Sequence, residues 1–126
     1  LIISQLTLGL VQGLGGRSAL HSNHYTTSPM VITIYGPVEN PRIVIGGKEY
    51  KITASIIANQ RIIIDQLRKT IVAKNPDGQE TNLFDYRDKE NDIFAYLEAG
   101  TQHVIYTGTF GFDITVIEQR SEPSWI

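Results

Sequence analysis

Short runs of β-branched and aromatic residues, cut by glycine, proline and asparagine, set the rhythm of this chain. Val31-Ile32-Thr33-Ile34-Tyr35 is almost wholly of that kind and stops at Gly36-Pro37, which predicts a strand ending in a turn. Arg42-Ile43-Val44-Ile45 and Lys48-Glu49-Tyr50-Lys51-Ile52-Thr53 flank Gly46-Gly47. Two glycines between strand-like runs supply the positive φ values of a tight turn, so a hairpin is predicted. Residues 69–74 and 79–84 flank Asn75-Pro76-Asp77-Gly78. There proline fixes φ at the second turn position and glycine suits the fourth of a type I turn. Ala99-Gly100 precedes residues 101–107, which alternate around Val104 and Tyr106. Beyond Gly108, Phe112, Ile114 and Val116 share one face of a strand, and Thr115 and Ile117 the other. Short strands with turn signals roughly every 8–12 residues predict an all-β sandwich or barrel.

Two stretches depart from that rhythm. Over residues 56–71, apolar positions 56, 63, 64, 67 and 71 fit one face of a helix. Against this stand Ile62-Ile63-Ile64, whose stiff χ1 suits a strand better. Periodicity leaves helix and strand both open here. Residues 1–28 are less regular: Gly13-Leu14-Gly15-Gly16 and Ser22-Asn23 read as loop, and Pro29 pushes Ser28 towards extended geometry. This segment is expected to be a connector or a remnant of a preceding domain, with the sandwich over residues 29–126. The chain opens on Leu1 and not on methionine, which fits a fragment of a longer protein.

A chain of 126 residues is most simply one domain, and it can bury roughly 65% of its unfolded surface. With 41% hydrophobic and 19% charged residues it falls outside the charge-driven disordered class. The net charge of −2 and scattered basic residues, none in a run longer than Arg68-Lys69, offer no footprint for nucleic acid. Without cysteine there are no disulfides, thiolate ligands or cysteine nucleophile. Residues 1–11 are too short and too interrupted to span a bilayer, and lack the basic start of a signal peptide, so no membrane insertion is expected.

Gly13, Gly15 and Gly16 miss the dinucleotide fingerprint, because Ser18 holds the third glycine position and no βαβ unit follows. His21 and His24 are three apart, yet zinc needs three or four ligands and His103 is far off in sequence. Asp88, Glu90 and Asp92 fall on the first, third and fifth positions of a calcium loop, with Asp85 nearby. Ile93 holds the sixth position, where glycine is required, and no glutamate stands at the twelfth. Neither a marked carboxylate pair nor a serine elbow is present, so no catalytic residue, cofactor or metal is expected and the chain reads as a non-enzyme. Tyr86, Tyr96, Tyr106 and Trp125 could offer stacking faces to sugar rings, with Tyr86, Tyr106 and Trp125 as the candidate glycan-stacking set. Core or interface packing is the competing use of such rings.

Four segments resemble a known family. Residues 30–37 with Asn40-Pro41 are similar to the strand and turn that open the C-terminal domain of siphophage distal tail proteins. Asn82-Leu83-Phe84-Asp85-Tyr86-Arg87 resembles that family's middle segment. Phe110-Gly111-Phe112-Asp113-Ile114-Thr115, then Arg120-Ser121-Glu122-Pro123 and Trp125, resembles its closing strand and tail. The match runs in order over residues 28–126. It favours two strands over residues 56–71, broken near residues 66–68. It implies a galectin-like or carbohydrate-module-like antiparallel β-sandwich of jelly-roll type, following a ring-forming domain in a homo-hexameric full-length protein. It also implies a structural hub at the virion tail tip, made in the cytoplasm of the bacterial host, that joins tail tube to tail-tip, baseplate or receptor-binding proteins. Glu98, Gln102 and Tyr106 depart from residues common in the family, Tyr106 standing where tryptophan is frequent. The alternative function is a carbohydrate-binding module for host cell-wall polysaccharide.

Overall fold

The computed structural model of the chain describes residues 2–10, 16–22, 27–106 and 110–120, with side chains over 27–106 and 110–117. The first strands are β1 (Ile2–Leu10), β2 (Gly16–Ser22), β3 (Met30–Tyr35), β4 (Val38–Glu39), β5 (Arg42–Ile45) and β6 (Lys48–Lys51). They are followed by β7 (Ser55–Ile56), β8 (Arg61–Asp65), β9 (Thr70–Lys74), β10 (Glu80–Asn82), β11 (Gly100–Tyr106) and β12 (Gly111–Arg120). One turn of 3-10 helix, Phe84–Tyr86, is the single helical element among the described residues. The strands form a six-stranded sheet in the order β1-β12-β3-β8-β9-β10, a four-stranded sheet in the order β2-β11-β5-β6, and the pair β4-β7. Every pairing is antiparallel, as an all-β sandwich requires.

Register explains the core. Ile114, Ile32, Ile64 and Ile71 lie opposite one another across β12, β3, β8 and β9. Phe112, Ile34, Ile62 and Ala73 make the next row. Their inward faces meet Ile43, Ile45, Tyr50 and Val104 from the four-stranded sheet in one cluster. Burying each such side chain contributes about 1.5–3 kcal/mol, and cross-strand branched neighbours add to it.

Residues 56–71 settle as strands. Ile62 and Ile64 point into the core while Ile63 is only partly buried on the other face, a period of two that a helix cannot give. The break falls where expected: Asp65 Oδ1 accepts the main-chain N–H groups of Leu67 and Arg68, both at 3.1 Å, and Lys69 takes φ 56° to re-enter β9. Both predicted turns form. Gly46 and Gly47 have φ of 57° and 81°, matching the two-residue hairpin closed by Ile45 and Lys48. The Gly78 N–H donates to Asn75 O at 2.9 Å, closing the proline turn.

Within residues 1–28, where a connector or remnant of a preceding domain is expected, the described residues form two paired strands. Ile2–Leu10 pairs with β12 from Ile2↔Arg120 to Leu10↔Phe112, and Gly16–Ser22 pairs with β11. Polar interruptions that argued against a continuous apolar element there are what an alternating strand needs, as in Leu6-Thr7-Leu8-Gly9-Leu10. Pairing also covers one main-chain edge each of β12 and β11, which would otherwise lie open.

Candidate functional site

The long irregular segment between β10 and β11 shapes the surface, and a buried amide holds it. Gln66 is fully buried at the end of β8. Its Oε1 accepts the Met30 N–H at 2.8 Å, and its Nε2 donates to Ile93 O at 3.2 Å and Ala95 O at 2.9 Å. The Tyr50 hydroxyl also donates to Ala95 O, at 2.7 Å. Burial pushes the Tyr50 phenol up to about 12, while the neighbouring Gln66 amide pulls the other way. Lys48 Nζ reaches Glu98 Oε1 at 2.9 Å and Tyr96 O at 3.2 Å, fastening the far end. Ile93 and Leu97 then sink into the core between these polar ties. Nothing in the sequence marks Gln66, because a lone glutamine in a turn gives no signal of burial.

Grooves flank this segment. One of about 440 Å³ is lined by Thr27, Lys48, Lys69, Asp92, Phe94, Ala95 and Tyr96. Another of about 310 Å³ lies against the sheet, between Lys69, Thr70, Val72, Glu80, Asn82 and Phe84. Between them Phe84 and Phe94 stack with centroids 6.0 Å apart, and the Arg87 guanidinium sits 3.9 Å from the Phe84 centroid. Lys69 borders both grooves and has no ion-pair partner among the described residues.

The second groove runs beside β10, whose outer edge is paired by no described strand. Asn75 donates to Gln79 O at 2.9 Å and Leu83 donates to Ile71 O at 2.8 Å, so Thr81 and Ala73, between them, form the intervening hydrogen-bonded pair. By alternation, the N–H and C=O groups of Glu80 and Asn82 turn away from β9 to the outside of the sheet. All three residues of β10 are exposed, and β10 ends the six-stranded sheet. The arrangement can offer main-chain hydrogen bonds and a partly apolar groove to a partner.

The stacking candidates are scattered. Tyr86 is 53% exposed on the 3-10 turn. Tyr106 is half-buried, with its ring edge-on to Phe112 at 4.9 Å and Phe110 at 6.0 Å, so this ring is engaged in packing. Tyr96 lines the larger groove through the segment that Lys48 fastens. Trp125 and His24 lie outside the described residues, as do Gly13 and Gly15, and His21 is placed by its main chain alone. The acids serve their own loop. Asp88 accepts the Asn91 side-chain amide at 2.8 Å and the Glu90 N–H at 3.0 Å, which hold its carboxyl below the usual range. Asp92 accepts the Phe94 N–H at 2.9 Å. Among the described residues no three histidine or acidic side chains gather as a metal site would require.

No protein-family model matches the chain, and no curated protein matches it in sequence. Among solved structures it is similar to the Dit protein (gp 19.1) of SPP1, a paradigm of the hub adsorption apparatus in phages that infect Gram-positive bacteria, with a TM-score of 0.68. Identity is 12%, and the match covers 91% of this chain but 46% of that protein, so this chain spans under half its length. At such identity the likeness is one of fold. Over most of its length the chain folds like part of the Dit protein of SPP1.

Proposed function

We propose that this chain is a non-enzymatic structural and docking module of a phage tail hub, built on the sandwich of residues 29–126 with β1 and β2 joined to it. The supporting observation is the fold likeness to Dit over 91% of the chain. The surface agrees with such a role. Open edges and grooves are templates for protein contact, and near them Lys48 is paired with Glu98 and Asp92 accepts the Phe94 N–H. On this reading the full-length protein forms a homo-hexameric ring at the virion tail tip after synthesis in the host cytoplasm. It joins the tail tube to tail-tip, baseplate or receptor-binding proteins. An antibody raised against the purified chain should decorate the distal end of the tail in virions that carry its gene. Decoration of the capsid, or of nothing, would overturn the reading. Binding of the purified chain to host cell-wall polysaccharide, lost in Tyr86→Ala, would replace it with the carbohydrate-binding one.

A further inference from the structure

Two features of different kind lie side by side at the end of the six-stranded sheet. The first is main chain: Glu80 and Asn82 direct their N–H and C=O groups outward from β10. The second is side chain: the 310 Å³ groove, with Val72 and Phe84 as its apolar members. The groove lies on the outer face next to that edge, because Thr70 and Val72 alternate with the core-facing Ile71 and Ala73. We propose that β10 receives an added strand: an extended segment of a partner polypeptide pairs with Glu80 and Asn82, seats an apolar side chain against Val72 and Phe84, and sets a carboxylate beside Lys69. This deepens the docking reading above and rests on it for the class of partner, a protein.

Strand addition draws affinity from main-chain bonds and selectivity from pockets that take alternate side chains. A strand laid beside β10 would put every second side chain on the groove's face, about 7 Å apart. Charge marks one end of the groove. Lys69 stands near its Phe84 end without an ion-pair partner among the described residues, whereas Glu80 at the opposite end lies across from Lys74, itself across from Arg61. An acid in the partner therefore belongs towards Lys69, and the Glu80 end sets no charge preference. A second copy of this chain fits poorly. An edge of three residues covers far less than the roughly 1,200 Å² of a stable dimer, whereas a flexible segment binds on a smaller contact.

The test is selection from a random dodecapeptide library displayed on yeast, using the immobilised chain, followed by calorimetry with the enriched peptides. Expected are peptides of alternating pattern with an acid at one end. Glu80→Pro removes an outward N–H without touching the ladder to β9, and should weaken binding at least about tenfold. Glu80→Gln keeps the N–H and should bind as the parent does. Lys69→Glu, an exposed change that leaves the strand intact, should weaken binding about tenfold at low salt, and it carries the test if the proline variant fails to fold. No enrichment, peptides that bind all variants equally, or a parent dimer abolished by Glu80→Pro would overturn the inference. Selection uses the isolated chain and antibody decoration uses virions, so failure here leaves the tail reading standing, and the converse.

Discussion

Replacing Gln66 with leucine should cost this fold about 3 kcal/mol, and the figure follows from which groups lose partners. The change is close to volume-neutral but removes three hydrogen bonds: one from Met30 N–H and one each to Ile93 O and Ala95 O. Ala95 O keeps the Tyr50 hydroxyl, so it is not orphaned. Met30 N–H and Ile93 O are left unpaired beside the core, at about 1–3 kcal/mol each, offset by about 1 kcal/mol of apolar gain. A loss near 3 kcal/mol is a large part of the usual 5–15 kcal/mol and lowers the melting temperature by roughly 10 °C in a chain this size. Gln66→Glu sharpens the test. One carboxylate oxygen can still accept from Met30, but the other faces two carbonyl oxygens that repel it when ionised. The folded state therefore binds the carboxyl proton more tightly than the unfolded chain does. Stability should then fall as pH rises above the ordinary glutamate range, opposite to common acid denaturation. Urea unfolding followed by circular dichroism at about pH 7 and about pH 5 reads both effects. Hydrogen exchange at Leu97, whose N–H donates to Ser28 O at 2.8 Å, reports whether the loop loosens first. A Gln66→Leu variant within about 0.5 kcal/mol of the parent, or a pH-independent glutamate variant, would refute the clamp.

Further tests probe other parts of the fold. Gly36→Ala places a Cβ that overlaps the Ile57 main-chain carbonyl and lies 3.2 Å from Gln60 O, so main chain must move; a loss of about 2 kcal/mol or more in urea unfolding is expected. Burial holds Tyr50 up at about 12 against an ordinary 10, so its contribution is intact below about pH 10 and is lost between about pH 10 and pH 12. About 2 kcal/mol of stability is expected to disappear over that window in the parent, and Tyr50→Phe should flatten that part of the profile. Tyr106→Ala should lose about 2–4 kcal/mol through its contacts with Phe110 and Phe112, whereas exposed Tyr86→Ala should stay within about 0.5 kcal/mol. Thermal melts compare the two directly, and equal losses would contradict this assignment of packed and exposed rings.

Local chemistry is legible in the sequence itself. Gly46-Gly47 and Asn75-Pro76-Asp77-Gly78 specify their turns because positive φ and a fixed proline φ are properties of the residues themselves. The alternation of Phe112, Ile114 and Val116 names the buried face of β12 because side chains in a strand alternate whatever lies beyond. Ile62-Ile63-Ile64 was ambiguous until Val31–Tyr35 and Thr70–Lys74 were placed on either side, since pairing with neighbours chooses strand over helix. The candidate aromatics show the same limit: nothing in the sequence separates exposed Tyr86 from packed Tyr106.

What the chain determines alone is thus where strands and turns begin, which faces are apolar, and that its residues carry no familiar reaction motif. Only the tertiary structure decided that β1 and β2 belong to the sheets, that Gln66 is a buried clamp, and that β10 stands at an open edge beside a groove. Those facts depend on residues far apart in sequence meeting across strands, as Gln66 meets Met30 and Ala95. Periodicity and propensity report a residue's own neighbourhood, and burial and partnership are set by the rest of the chain.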